Sequence, residues 1–208
     1  MRKLVSCVLL IAMLLSLAAA AFPAAAEPTG EGELKKYTTP FLITNAGQGP
    51  GGKMARLLVS QTGTLVLDED FFYDSEPGAN GHGTLQDREY SCLIVVIGST
   101  DKGLGASGIT IEDELARLEK MVALAEEIKL PIIGVLLEKD KRSEIPTNAN
   151  ERCIDAICPH AEWMIVVKDG NADGRFDKIS EQYGIPLTVI NMTLDFTALA
   201  REVFVKAE

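Results

Sequence analysis

Asp169-x-Asn171-x-Asp173-Gly174 places three side-chain oxygens at alternate positions, followed by a glycine where the chain must turn sharply. Alternating oxygens suit a hard cation, so the segment reads as the opening of a calcium loop, with Phe176 at its usual apolar position. The pattern then departs. Ser180 stands where a bidentate glutamate belongs, and Glu181 comes one residue late. Its expected flanks are a strand and a helix, where a calcium hand has two helices, and Asp-Gly and Asn turns are common loops in their own right. Calcium is the one cofactor the sequence allows, with Asp169, Asn171 and Asp173 as its ligands.

A second set of polar residues follows apolar runs. Asn45, Gln48, Gly49 and Lys53 come after Phe41–Thr44, and Ser99, Thr100, Asp101, Lys102 and Ser107 come after Cys92–Ile97. Backbone N–H groups at the start of a helix near Thr110, with Ser99, Thr100 and Lys102 beside them, could hold a carboxylate or phosphate. The same hydroxyls could equally only cap the turn. Asn45, Gln48, Ser99, Thr100, Lys102 and Ser107 are therefore the candidate ligand-binding residues, for a small polar or anionic ligand.

Gly103-x-Gly105-x-x-Gly108 matches the dinucleotide fingerprint in letters only. Ser99 to Lys102 separate Gly98 from Gly103, whereas the fingerprint turn follows its strand directly. Glu138 lies farther on than the usual ~20 residues. Lys102 precedes Gly103, so it is not a phosphate-loop lysine. His82 and His160 are the only histidines, and neither has a nucleophile in its context; zinc lacks ligands at the needed spacing. No catalytic residue is assigned.

The elements that must position these groups alternate. Phe41–Thr44, Thr64–Leu67, Cys92–Ile97, Pro131–Leu137, Met164–Val167 and Leu187–Ile190 are apolar and β-prone. Helical spacing marks 53–61, 110–129, 151–158, 176–183 and 194–206 between and after them. In Thr110–Lys129 the stripe is Ile111, Leu115, Leu118, Val122 and Ala125, and Thr110 with Asp113 forms a capping box. Asp68–Tyr90, with Phe71, Phe72 and Tyr73, reads as an irregular surface excursion. The alternation predicts a three-layer, doubly wound, mostly parallel α/β sheet of about six strands, flavodoxin-like or Rossmann-like. The uninterrupted Leu93–Val96 run marks a strand covered on both faces, expected at the centre. In such sheets the carboxyl ends of the strands share one edge, where ligands bind.

Arg2 and Lys3, the apolar run Leu4–Ala21 and Ala24–Ala26 before Glu27 read as a secretory signal peptide. The expected organisation is a signal peptide over 1–26, a flexible leader over 27–39 and a single α/β domain over 40–208. The mature protein is expected to be exported, with no stable membrane anchor after cleavage. Losing Arg2 and Lys3 moves the net charge from −10 to −12. An acidic surface repels phosphate backbones, so nucleic acid is an unfavoured partner. Cys92 is expected to pack as a small hydrophobe. Cys153 and Cys158, five apart, are too distant for a disulfide in regular helix unless it breaks near Pro159.

Three segments, Thr44–Pro50, Gly98–Ile109 and Val167–Phe176, together resemble a family of exported bacterial proteins known only as a domain of unknown function. The resemblance spans roughly Thr39–Lys206. It implies export and a compact α/β domain, and no activity. The leading functional expectation is a non-enzymatic module for a small polar or anionic ligand at the carboxyl ends of the strands. One alternative is an enzyme using the same cleft through Lys102 or Asp169. Another is a protein–protein module with Phe71–Tyr73 as its contact.

Overall fold

The structure is a computed structural model that describes residues 34–62, 85 and 89–207. A two-residue strand, β1 (Tyr37–Thr38), precedes the main sheet. That sheet comprises β2 (Leu42–Ala46), β3 (Leu93–Ile97), β4 (Ile132–Leu136), β5 (Trp163–Val167) and β6 (Leu187–Ile190), all parallel and ordered as they occur in the chain. The final strand, β7 (Phe204–Val205), pairs in parallel with β1.

The helices are α1 (Gly51–Ser60), α2 (Asp101–Ala106), α3 (Ile111–Glu127), α4 (Ala149–Ile157), α5 (Arg175–Tyr183) and α6 (Asp195–Val203). Alternation of side chains along each strand divides the core in two. Leu93, Val95 and Ile97 face a cluster with Leu118, Met121 and Val122 of α3, Ile154 and Ile157 of α4, and Phe176 and Ile179 of α5. Ile94 and Val96 face the other way, onto Ala55, Leu58 and Val59 of α1 and Phe196, Leu199 and Val203 of α6. The result is the expected three-layer α/β domain with its parallel sheet. All of β2's apolar side chains and all of β3 are buried, as a doubly covered sheet requires.

One feature of the order differs from expectation. Among the described strands the middle one is β4, not β3, because an uninterrupted apolar run reports cover on both faces and not position. Among the described strands the order is that of the chain. The chain nevertheless leaves β2 toward α1 and β3 toward α3, on opposite faces. The divergence opens a crevice between the ends of β2 and β3 such as a reversal of order would make.

The glycine-rich turn after β3 contains the short helix α2, capped by Thr100, whose side chain accepts from the Gly103 N–H at 3.0 Å. The sequence placed Tyr37 and Thr38 in the leader, yet Tyr37 is buried and its ring lies 6.0 Å from that of Phe204. The expected strand Thr64–Leu67, the aromatic trio Phe71–Tyr73, His82 and residues 1–26 lie outside the described residues.

Candidate functional site

Register fixes what meets at the carboxyl edge. Asn45 pairs with Val96 and Ala46 with Ile97, so the chain after β2 rises beside the chain after β3. The two loops touch. A Cβ on Gly47 would stand 2.4 Å from Ser99 Cβ, and one on Gly49 would stand 2.3 Å from the Gly98 carbonyl oxygen. Gly47 also has φ +94°, which only glycine adopts freely.

Most of the polar groups at this crevice are engaged within the protein. Asn45 Oδ1 accepts from the Gly52 N–H at 2.6 Å, satisfying a free donor at the start of α1. Glu114, on the buried side of α3, accepts from the Gly47 N–H at 2.6 Å and binds Arg117 through both carboxylate oxygens. Arg117 also donates to the Asn45 carbonyl at 2.7 Å, and Gln48 Nε2 reaches Glu114 at 3.4 Å. Burial alone would raise the Glu114 pKa, but the Arg117 guanidinium and the Gly47 N–H outweigh it and hold the carboxyl below its ordinary value. The pair thus plugs the β2–β3 crevice.

One strand farther on, the edge is not fully satisfied. Ser99 is buried at the end of β3, and its N–H donates to Asn150 Oδ1 at 3.0 Å, which ties β3 to the first turn of α4. Beyond the soft Cys153 thiol beside it, Ser99 Oγ has no hydrogen-bond partner. Asn150 Nδ2 and Glu138 Oε2 are likewise enclosed and unpartnered. Glu138 follows β4, and its Oε2 lies 3.4 Å from the point a Gly98 Cβ would occupy and 3.7 Å from the same point on Gly51. Glycines therefore line the crest between Ser99 and Glu138. The other Glu138 oxygen lies 3.8 Å from Lys141 Nζ.

Of the sequence candidates, Asn45, Gln48, Ser99 and Thr100 come together here. Lys102 is exposed on α2 with no partner among the described residues, and Ser107 lies at the far end of α2. The Asp169 segment sits two strands from β3, as a 3-10 turn leading into α5. There Asp169 pairs with Lys139 at 3.1 Å. Asn171 accepts from the Phe176 N–H at 2.9 Å and donates to Asp177 at 2.9 Å. Asp173 pairs with Arg142 at 2.7 Å, and that charge, against the opposing effect of burial, holds its carboxyl below the usual range. Each expected calcium ligand is engaged by a protein donor, and among the described residues no three His, Cys, Asp or Glu side chains cluster as a metal site would need.

Sequence reasoning missed Glu114, Glu138, Asn150 and the fully buried Glu151. Glu151 accepts from Arg142 Nε and from the Ser143 N–H, both at 2.9 Å, and also binds Arg175. A signal existed for Glu114, which stands four residues before Leu118 and seven before Met121, on the apolar stripe of its helix. None existed for Asn150, whose role depends on a strand fifty-one residues away. Cys92, Cys153 and Cys158 are free and buried. Burial pushes the thiols of Cys153 and Cys158 up to about 12, so neither is a nucleophile at neutral pH.

The model of a family described as Domain of unknown function (DUF6305) matches residues 38–204, and the chain belongs to that family. No curated protein matches it.

Proposed function

Taking membership of that family as the premise for a fold and not for an activity, we propose that this is an exported binding module. It takes a small polar ligand over the ends of β3 and β4. The observation that carries the reading is the trio Ser99 Oγ, Asn150 Nδ2 and Glu138 Oε2, shut from solvent and without partners apart from the weak Cys153 thiol beside Ser99. A buried polar atom left unpaired costs roughly 1–3 kcal/mol, so three at one strand edge call for a partner from outside the chain.

Their chemistry defines that partner. Asn150 Nδ2 needs an acceptor, Glu138 Oε2 needs a donor, and the Ser99 hydroxyl serves either. A neutral or zwitterionic solute bearing hydroxyl, amide or amino groups supplies both. A simple anion would meet the Glu138 carboxylate with no donor to offer it. Lys102, three residues beyond Ser99, is free to meet a negative group on the solvent side.

The test is Ser99→Ala, with melting temperature as the readout. In ligand-free protein the change deletes an uncompensated hydroxyl, so Tm should rise by a few degrees, in keeping with ~1 kcal/mol. Wild type should gain stability from at least one member of a panel of sugars, amino acids and polyols, and the variant should not respond to it. A lower Tm for the variant, or a wild type that no solute stabilises, overturns the reading.

A further inference from the structure

A second candidate lies apart from the Ser99, Asn150 and Glu138 side chains, on the outer surface between α3 and α4. Leu115, Val122, Ala123 and Ala156 floor a groove of about 320 Å3, with Glu119, Glu126 and His160 around it. Beside it Arg152 pairs with Glu112 at 2.8 Å, and at its rim His160 Nδ1 lies 2.7 Å from a Glu126 carboxylate oxygen. Between them Glu119 is exposed, and its carboxylate has no partner among the described residues.

The spacing of the two groove carboxylates is the decisive feature. Glu119 and Glu126 are seven residues apart on one helix, two turns, so they share a face and stand about 10 Å apart along the axis. Val122 and Ala123 lie between them and offer only apolar surface. Acid, apolar strip, acid is the complement of a linear aliphatic chain with an ammonium group at each end. We propose that this groove binds a linear aliphatic diamine or polyamine. One ammonium lies on Glu119, the methylenes lie along Val122, Ala123 and Ala156, and the second ammonium takes Glu126 from His160. The net charge of −10 draws such a cation toward the surface, and the groove gives it a specific place.

Calorimetric titration with cadaverine and spermidine at low and physiological salt tests this. Saturable one-site binding is expected. Glu119→Gln and Glu126→Gln should each weaken it about fivefold, in keeping with exposed charge pairs. His160→Ala should tighten it, because the ring no longer competes for Glu126. Glu181→Gln, an exposed carboxylate on α5, and Ser99→Ala, at the strand edge, should both leave it unchanged. Butylamine, with one ammonium, should bind more weakly than cadaverine. Equal losses in Glu119→Gln and Glu181→Gln would mean diffuse attraction to an acidic surface and would overturn the proposal. So would the absence of saturable binding, or unaltered affinity in both groove variants. None of these outcomes bears on the strand-edge ligand, since Ser99→Ala separates the two sites.

Discussion

Glu114 joins three parts of the chain through one carboxylate: the β2 loop at Gly47, its own helix at Arg117, and through Arg117 the Asn45 carbonyl. Its folded pKa lies below the unfolded value, so its contribution to stability is present above the ordinary glutamate value of ~4.3 and is lost as pH falls through the folded pKa. Acid should therefore loosen the β2–β3 crevice below about pH 4. Glu114→Gln leaves the partly buried Arg117 beside a neutral partner and should cost ~1–3 kcal/mol at neutral pH. Urea unfolding at pH 7 and pH 3.5 checks both points, because the variant should show a shallower loss on acidification than wild type. Equal acid slopes in wild type and variant would remove Glu114 from this role.

Among the elements, the loop after β5 sets a metal-like motif beside cations from the segment after β4. Asp169, Asn171 and Asp173 have the types and spacing of a calcium loop, but a motif is silent about the cations nearby. Lys139 and Arg142, both in the segment after β4, reach across to Asp169 and Asp173. Arg142 also binds the fully buried Glu151, so the loop after β5 is held to the start of α4 through ion pairs. Calcium in the millimolar range should leave Tm unchanged in wild type. A calcium-dependent rise that disappears in Asp169→Ala would contradict this and restore the metal reading. The elements themselves were largely legible. Apolar runs of four to seven residues gave the five main strands, and the Thr110–Asp113 box gave the start of α3. The helix α2 was not, because Gly103 and Gly105 resemble a turn and only the Thr100 cap reveals it. Nor were β1 and β7, two residues each, which exist because Tyr37, Phe41 and Phe204 pack together.

At the scale of the molecule, alternation of strand and helix predicts a parallel three-layer sheet but not its order. Order depends on which strands pair, and period-2 apolar patterns are interchangeable between neighbours. The convergence of Asn45, Gln48, Ser99 and Thr100 follows from parallel strands alone and could be read in advance. The partners at the heart of the edge, Glu138 and Asn150, depend on strand order and could not. The central claim is that their unpaired atoms, with Ser99 Oγ, receive a ligand outside the cell. Native mass spectrometry of the protein gently isolated from its own host tests this most directly, reading the processed end and any bound molecule in one spectrum. The account predicts a chain beginning at Glu27 that carries one discrete small adduct, released on denaturation and absent from Ser99→Ala. A bare chain mass from wild type, or an adduct equally present in the variant, would contradict it.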